Sequence, residues 1–472
     1  MSDVTLSLIS HTNVGKTTLA RTLLRKDVGE VLDQAHVTEV SEAHELVTSG
    51  DDRLLLWDTP GLGDSARLVQ RLRNEGNPLG WLLHQVWDRT RDRPLYSSQE
   101  AVRNIKEAAD VVLYLVNAAE SPEDAGYVSY ELELLTWIGK PVIVLLNQMG
   151  EPGTTGEDQA VARWEEFVKG WPIVKHILPL DAFTRCWVQE GVLLERVEDV
   201  LPPEKREVMH RLAQAWRERS LAVFEQATLR IGAYLTAAAA DSEPLGENAG
   251  RAEKRRAMRA LTDRLDLATR ALMDDLLELH GLKGRFQDEA RTHLEEDFRM
   301  PGEAAWSGGA AMLGAAMGGA AGGLAADVLT GGLSFGAGAL AGAILGAMGA
   351  AGLLKGFQLA VGPEEPAVRW AQEFLRDLTQ QTLLRYLAIA HFGRGRGEFR
   401  ELGTMQSWSA LVERMLRSRI DALAARIVEA RREAPPRDGV AARTATIVRD
   451  VLRDVLSTAY PQAVDILSPR WR

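Results

Sequence analysis

Nine residues near the start of the chain, Ser10-His11-Thr12-Asn13-Val14-Gly15-Lys16-Thr17-Thr18, constrain the fold more than any other feature. They follow an apolar run at 4–9 and open a segment whose leucines, Leu19, Leu23 and Leu24, recur at helical spacing. The pattern matches the phosphate loop G-x-x-x-x-G-K-[ST] at every defined position but the first, where Ser10 stands for glycine. In such a loop the backbone N–H groups and a helix N-terminus surround phosphate oxygens, and the helix dipole favours their charge. Lys16 is then the cation for the β- and γ-phosphates and a candidate catalytic residue. Thr17 is the candidate hydroxyl ligand of Mg²⁺, and Asn13, Val14, Gly15 and Thr18 complete the cradle. A strand, a phosphate loop and a helix in that order belong to a parallel sheet covered by helices.

The following residues continue that pattern. Short runs rich in Val, Ile and Leu recur at 54–57, 111–116, 142–146 and 177–180, as strands buried on both faces require. A further strand at 40–47 pairs antiparallel with 54–57 through the turn Ser49-Gly50-Asp51-Asp52. The expectation is an α/β nucleotide domain with a mostly parallel sheet over 1–201. After Pro202-Pro203, helical spacing over 204–240 and 250–281 predicts a helical domain at 202–301. A Gly/Ala-rich stretch occupies 302–356, and helical patterns at 364–391, 407–433 and 438–459 make 357–472 a helical C-terminal domain.

A second motif, Asp58-Thr59-Pro60-Gly61, closes the run at 54–57. An acid there holds Mg²⁺ through water, and the Gly61 N–H can sense a γ-phosphate. Between the motifs, Thr38 is the candidate switch threonine, a catalytic residue touching both Mg²⁺ and the γ-phosphate; a structural role for it stays open. Asn13-Val14-Gly15-Lys16-Thr17-Thr18-Leu19 and Asp58-Thr59-Pro60-Gly61-Leu62 together resemble the Era-like and TrmE-like GTPases. More specifically, the chain looks like bacterial GTPase-domain proteins with a long C-terminal region of unknown function. The resemblance implies GTP and GDP as ligands, Mg²⁺ as cofactor and a nucleotide-dependent switch.

It also marks departures. Leu62 stands where Ras-like enzymes hold a water-orienting glutamine, which implies slow hydrolysis. Asn13 matches the asparagine that binds K⁺ in cation-activated members, the alternative being a backbone role in the loop. The base-recognition motif N-K-x-D reads Asn147-Gln148-Met149-Gly150, so the carboxylate that accepts two guanine N–H groups is missing. Charge-assisted bonds contribute about 1.5–3 kcal/mol each, so its loss weakens guanine preference unless Glu151 or Asp181 replaces it. Asp181-Ala182-Phe183 takes the place of the family's last base loop, making Asp181 and Ala182 candidate base contacts beside Asn147 and Gln148. Arg67, Arg71, Arg73, Arg89, Arg91 and Arg93 lie in a long second switch with Trp81 and Trp87. They read as solvated arginines of an amphipathic segment or as a source of one arginine finger, in cis or across a homodimer.

Between Glu303 and Lys355 the only formal charge is Asp327, which divides uncharged runs at 304–326 and 328–354, each long enough to span a bilayer as a helix. Gly314, Gly318 and Gly322, then Gly338, Gly342 and Gly346, recur four apart and let two helices approach closely. The expectation is a helical hairpin turning near 327–332, either entering lipid at the inner membrane or packed within the helical region. A net charge of −11 argues against a general nucleic-acid binder, and the arginines of 393–400 read as a solvated loop, or one that touches lipid head groups or RNA. A single cysteine, Cys186, excludes an internal disulfide, and the first residues lack a secretory pattern, so a cytoplasmic protein is expected.

Overall fold

The computed structural model describes residues 2–24, 42–84, 93–149, 155–181, 186–282, 357–360, 366–392, 404–432 and 438–468. They fall into two compact units. The first takes in the described residues of Met1–Leu221, His391–Arg400 and Ser457–Arg472, and the second those of Ala222–Ala390 and Glu401–Leu456.

The first unit is built on six strands: β1 (Ser2–Ser10), β2 (Glu42–Ser49), β3 (Asp52–Asp58), β4 (Val111–Asn117), β5 (Val142–Asn147) and β6 (Val174–Pro179). They pair in the order β2-β3-β1-β4-β5-β6, and β2 alone runs antiparallel to its neighbour. This is the mostly parallel sheet with an antiparallel edge that the apolar runs predicted. Every residue of β4 from Val111 to Val116 is fully buried, because helices cover both faces. The helices are α1 (Lys16–Leu24), α2 (Ser65–Leu72), α3 (Pro78–His84), α4 (Arg93–Glu107), α5 (Tyr127–Ile138), α6 (Thr155–Val168) and α7 (Trp187–Val200). Asp64 caps α2 by accepting the Arg67 N–H at 3.1 Å, and Gly139, at φ +77°, ends α5 in the left-handed conformation that glycine adopts freely.

A long helix, α8 (Pro203–Ala240), begins in this unit. Lys205 Nζ, in its first turn, donates to Asp110 Oδ2 at 2.6 Å and to the Asp3 carbonyl at 3.0 Å, tying the helix start to the edges of β1 and β4. The turn Pro461–Ala463 and the short helix Val464–Leu467 lie on α7. A Cβ placed on Gly191 of α7 would stand 2.5 Å from Ile466 Cδ1, so glycine is what allows this approach. Arg217 of α8 donates to the Ile466 carbonyl at 3.1 Å and to that of Ser468, satisfying carbonyls at the end of the short helix.

The second unit holds the remainder of α8 with α9 (Arg251–Leu279), α10 (Gln372–Ala390), α11 (Thr404–Arg417), α12 (Ile420–Arg432) and most of α13 (Asp438–Ala459). The largely helical region is therefore as expected, with two corrections. Residues 367–370, assigned by periodicity to a helix, form β9 (Ala367–Trp370) in a sheet of order β7-β9-β8 with β7 (Ser242–Pro244) and β8 (Phe357–Ala360). Trp370 buries its ring between Phe357 and Phe374, at centroid distances of 4.7 and 4.3 Å, which the extended backbone allows. The pattern at 407–433 is two helices, broken where Arg419 reaches Asp454 at 2.5 Å. No described helix is long and apolar enough to cross a membrane; the Gly/Ala stretch at 302–356 lies outside the described residues.

Candidate nucleotide-binding site

β1 ends at Ser10 and α1 begins at Lys16, so 11–15 form the loop between them. Ser10 fits the usual glycine position because the strand continues through it, its backbone stays out of the left-handed region, and its hydroxyl donates to the His11 carbonyl at 2.6 Å. The left-handed residues are Asn13, at φ +64°, and Gly15, at φ +95°. Asn tolerates that conformation better than most side chains, a backbone reason for Asn13 that needs no cation. Gly15 has a second constraint: a Cβ there would stand 2.9 Å from Asn147 Nδ2. That amide, at the end of β5 and fully buried, donates to the Val14 carbonyl at 2.8 Å. Asn147 thus ties the end of β5 to the phosphate loop, and Gln148 follows it at φ +58°.

The register of β1 against β3 sets Leu8 beside Asp58 and brings the two motifs together. Lys16 Nζ lies 2.5 Å from Asp58 Oδ1, and both side chains are buried. Thr59 Oγ1 donates to the Leu8 carbonyl at 2.7 Å, fixing the start of the second motif on the strand. Leu62 N donates to the Ser10 carbonyl at 2.9 Å, and Leu62 bridges His11, so strand-like pairing continues past Gly61. The Leu62 side chain is fully buried in the core with Ile9, Leu68 and Val69. It contributes nothing polar to the site. Thr17 and Asp58 offer hard oxygen donors at adjoining element ends, the chemistry Mg²⁺ takes, and these two residues would hold it.

Other expected site residues fall elsewhere. Thr38, Gly150, Glu151, Ala182, Phe183, Trp87, Arg89 and Arg91 lie outside the described residues. Asp181 is half-buried just beyond β6, and Thr18 is buried in the first turn of α1. Arg73 at the end of α2 pairs with Glu133 of α5 through two bonds, 2.9 and 2.6 Å, and lies over the Tyr130 ring at 5.6 Å. Arg67 and Arg71 are exposed, and Cys186, just before α7, is buried and in no disulfide.

One constellation went unread in the sequence. His11 Nδ1 lies 2.7 Å from Glu131 Oε1, and Tyr114 donates to Glu131 Oε2 at 2.6 Å. The His11 ring stacks on Tyr127 with centroids 4.3 Å apart. Burial pushes the Glu131 carboxyl up, against the pull of His11, and pushes the Tyr114 and Tyr127 hydroxyls up as well. The signal was an acid on the apolar face of α5, in line with Val128, Leu132 and Leu135.

A sequence profile described as 50S ribosome-binding GTPase matches residues 5–148. A second, described as a domain of unknown function, DUF3482, matches residues 175–452, more than half of the chain. The chain belongs to the DUF3482 family. Ahead of its DUF3482 region it carries a P-loop GTPase domain, as the two motifs implied. Among solved structures similar to this DUF3482 protein is an Era variant from Aquifex aeolicus bound to GDP and AlF4⁻, 21% identical with a TM-score of 0.32, over 43% of this chain and 58% of that one. Era in complex with MgGDPNP and a 16S ribosomal RNA fragment is 20% identical with a TM-score of 0.31, over 48% and 67%. The apo translation elongation factor SelB from Methanococcus maripaludis is 15% identical with a TM-score of 0.23, over 38% and 29%. The DUF3482 chain thus spans less than two thirds of the first of these structures. No curated protein matches it.

Proposed function

We propose that this DUF3482 protein is a GTP-binding switch with slow hydrolysis, whose helical region carries the output. The observation behind the reading is the pairing of Lys16 with Asp58 at the mouth of the phosphate loop, beside a Leu62 buried in the core. A triphosphate takes Lys16 from Asp58, since its β- and γ-oxygens are the stronger acceptors and the loop's N–H groups reinforce them. Asp58 and Thr17 would then hold Mg²⁺, which would supply positive charge to the phosphates. Gly61, held to the loop through Leu62 and Ser10, would report the γ-phosphate to α2. Thr38 is proposed to close over the same phosphate.

Slow turnover follows from Leu62. A fully buried leucine cannot orient water, so hydrolysis depends on another group, with K⁺ at Asn13 as one source. A K⁺-over-Na⁺ stimulation that vanishes in Asn13→Ala supports the cation; equal rates leave Asn13 its backbone role. Guanine recognition is assigned to Asn147, Gln148 and the 181–182 loop, with Asp181 as the carboxylate in place of the missing aspartate. The proposed organisation is a nucleotide domain at 1–201, helical domains at 202–301 and 357–472, and a Gly/Ala hairpin at 302–356 that enters lipid or packs within the helical region.

Calorimetric titration of the full chain with GTP, GDP and ATP, beside Lys16→Ala, tests the reading. Guanine-selective binding that the variant loses supports it. Equal ATP binding, or none, refutes it. Binding without measurable single-turnover hydrolysis favours the second reading that the buried Leu62 allows, a nucleotide-binding protein with little turnover.

A further inference from the structure

The second residue of the phosphate loop is anchored in the protein interior by a buried acid. Glu131 is fully buried on α5, where periodicity asks for an apolar residue. Burying a carboxylate is costly unless its oxygens are satisfied, and both of these are. Oε1 meets His11 Nδ1 at 2.7 Å and Oε2 accepts from Tyr114 at 2.6 Å. Tyr127, one turn earlier on α5, stacks on the same imidazole with planes 23° apart. The ring is thus held in its plane by a hydrogen bond and across its face by an aromatic ring. Only the imidazole's outer side reaches solvent, the side chain being 27% exposed.

On its backbone side, His11 adjoins the second motif. It bridges Leu62, and a Cβ on Gly61 would stand 3.3 Å from Thr12 Cγ2 and 3.4 Å from Thr12 Cα. The same helix that holds His11 also holds the end of α2, through Glu133 and Arg73. The later part of the loop is fixed differently, by Asn147 at Val14 and by the Lys16–Asp58 pair. The clamp therefore sits where the loop meets Gly61, not where the loop grips a diphosphate.

We propose that Glu131 is a positioning residue for γ-phosphate recognition: by holding His11 it fixes the first turn of the phosphate loop against Gly61 and Leu62. This rests on the nucleotide-switch reading above. A hydrogen bond to a charged group is strong enough that its loss lowers affinity for a non-hydrolysable GTP analogue about tenfold, while GDP changes less than about threefold. That split separates positioning from general damage to the fold.

The experiment measures affinities of fluorescent GDP and of the GTP analogue for the full chain and for Glu131→Leu, His11→Ala, their double variant and Tyr114→Phe. Glu131→Leu and His11→Ala should each lose the analogue selectively, and the double variant should lose no more than the worse single one. Tyr114→Phe, which leaves the His11 bond to Glu131 in place, should lose less of the analogue than either single variant. His11→Ala alters a partly exposed side chain and leaves Glu131 bonded to Tyr114, so it carries the test even where Glu131→Leu does not fold. Additive losses, equal losses of GDP and analogue, or a Tyr114→Phe defect of the same size would overturn the proposal. Wild-type protein that binds neither nucleotide would overturn both this inference and the switch reading; wild-type binding with unaffected variants would overturn this inference alone.

Discussion

Replacing Lys16 by methionine tests whether the Lys16–Asp58 pair organises the site as an electrostatic unit. At 2.5 Å and an effective dielectric of ~20, the gross attraction is about 7 kcal/mol. Desolvation of two buried ions takes back most of it, so the pair's net contribution is small. Its one-sided removal is not small. Lys16→Met leaves Asp58, only 3% exposed, without its cation, and such a step typically destabilises by about 3–5 kcal/mol. Taking the lower figure, local opening of β1 and β3 becomes roughly a hundredfold more frequent. Because the chain has two units, a single unfolding curve does not isolate this effect, and amide hydrogen exchange of peptides spanning 2–10 and 52–58 is the suitable assay. Without nucleotide, Lys16→Met and Asp58→Asn should each lose about a hundredfold of protection, and the double variant should recover to within about tenfold of wild type. Unchanged protection in the single variants, or a double variant equal to their sum, would refute the argument.

Three further outcomes follow from other positions. Gly15→Ala forces a Cβ into a left-handed residue and to 2.9 Å from Asn147 Nδ2, so GTP affinity should fall more than about tenfold by calorimetry. Gly232→Ala in α8 gains about 1 kcal/mol of helix propensity but puts a Cβ 2.6 Å from Ala445 N and 2.7 Å from its Cα, where only backbone could yield. Overpacking of ~1–3 kcal/mol should outweigh the gain and speed exchange of α8 and α13 amides. Asp3 is held below its ordinary 3.8 chiefly by its hydrogen bond from Arg53. A depressed carboxylate stabilises above its unfolded value and loses that contribution as pH falls through the folded one, so the effect should fade below about pH 3.8 and vanish in Asp3→Asn, read by exchange of β1.

The sheet and the loop were legible because their causes are local. Runs of Val, Ile and Leu, broken only by Tyr114, in 111–116 and 142–146 admit little but doubly buried strands, and Lys16 and Asp58 sit at motif spacings that the β1–β3 register then brings together. The small sheet of the helical unit was not legible. Its strands are three or four residues long, too short for periodicity, and β7 and β9 are far apart in sequence. The clamp was half legible: Glu131 breaks the apolar face of α5, but nothing local says that its partner is His11, 120 residues away. Ser10, the one departure from the phosphate-loop pattern, needs no unusual backbone.

The seat of Ile466 on Gly191 has a consequence for how the protein is made. The nucleotide unit draws α7 from the first half of the chain and the cover of α7 from beyond residue 457. On a ribosome adding roughly 5–20 residues per second, α7 emerges tens of seconds before the segment that packs on it. During that interval the apolar surface around Gly191 and Trp216 stands open to water and to other chains. The first unit therefore reaches its finished form only once residues beyond 457 are translated, and a message cut short in the helical region yields a GTPase domain with one flank bare.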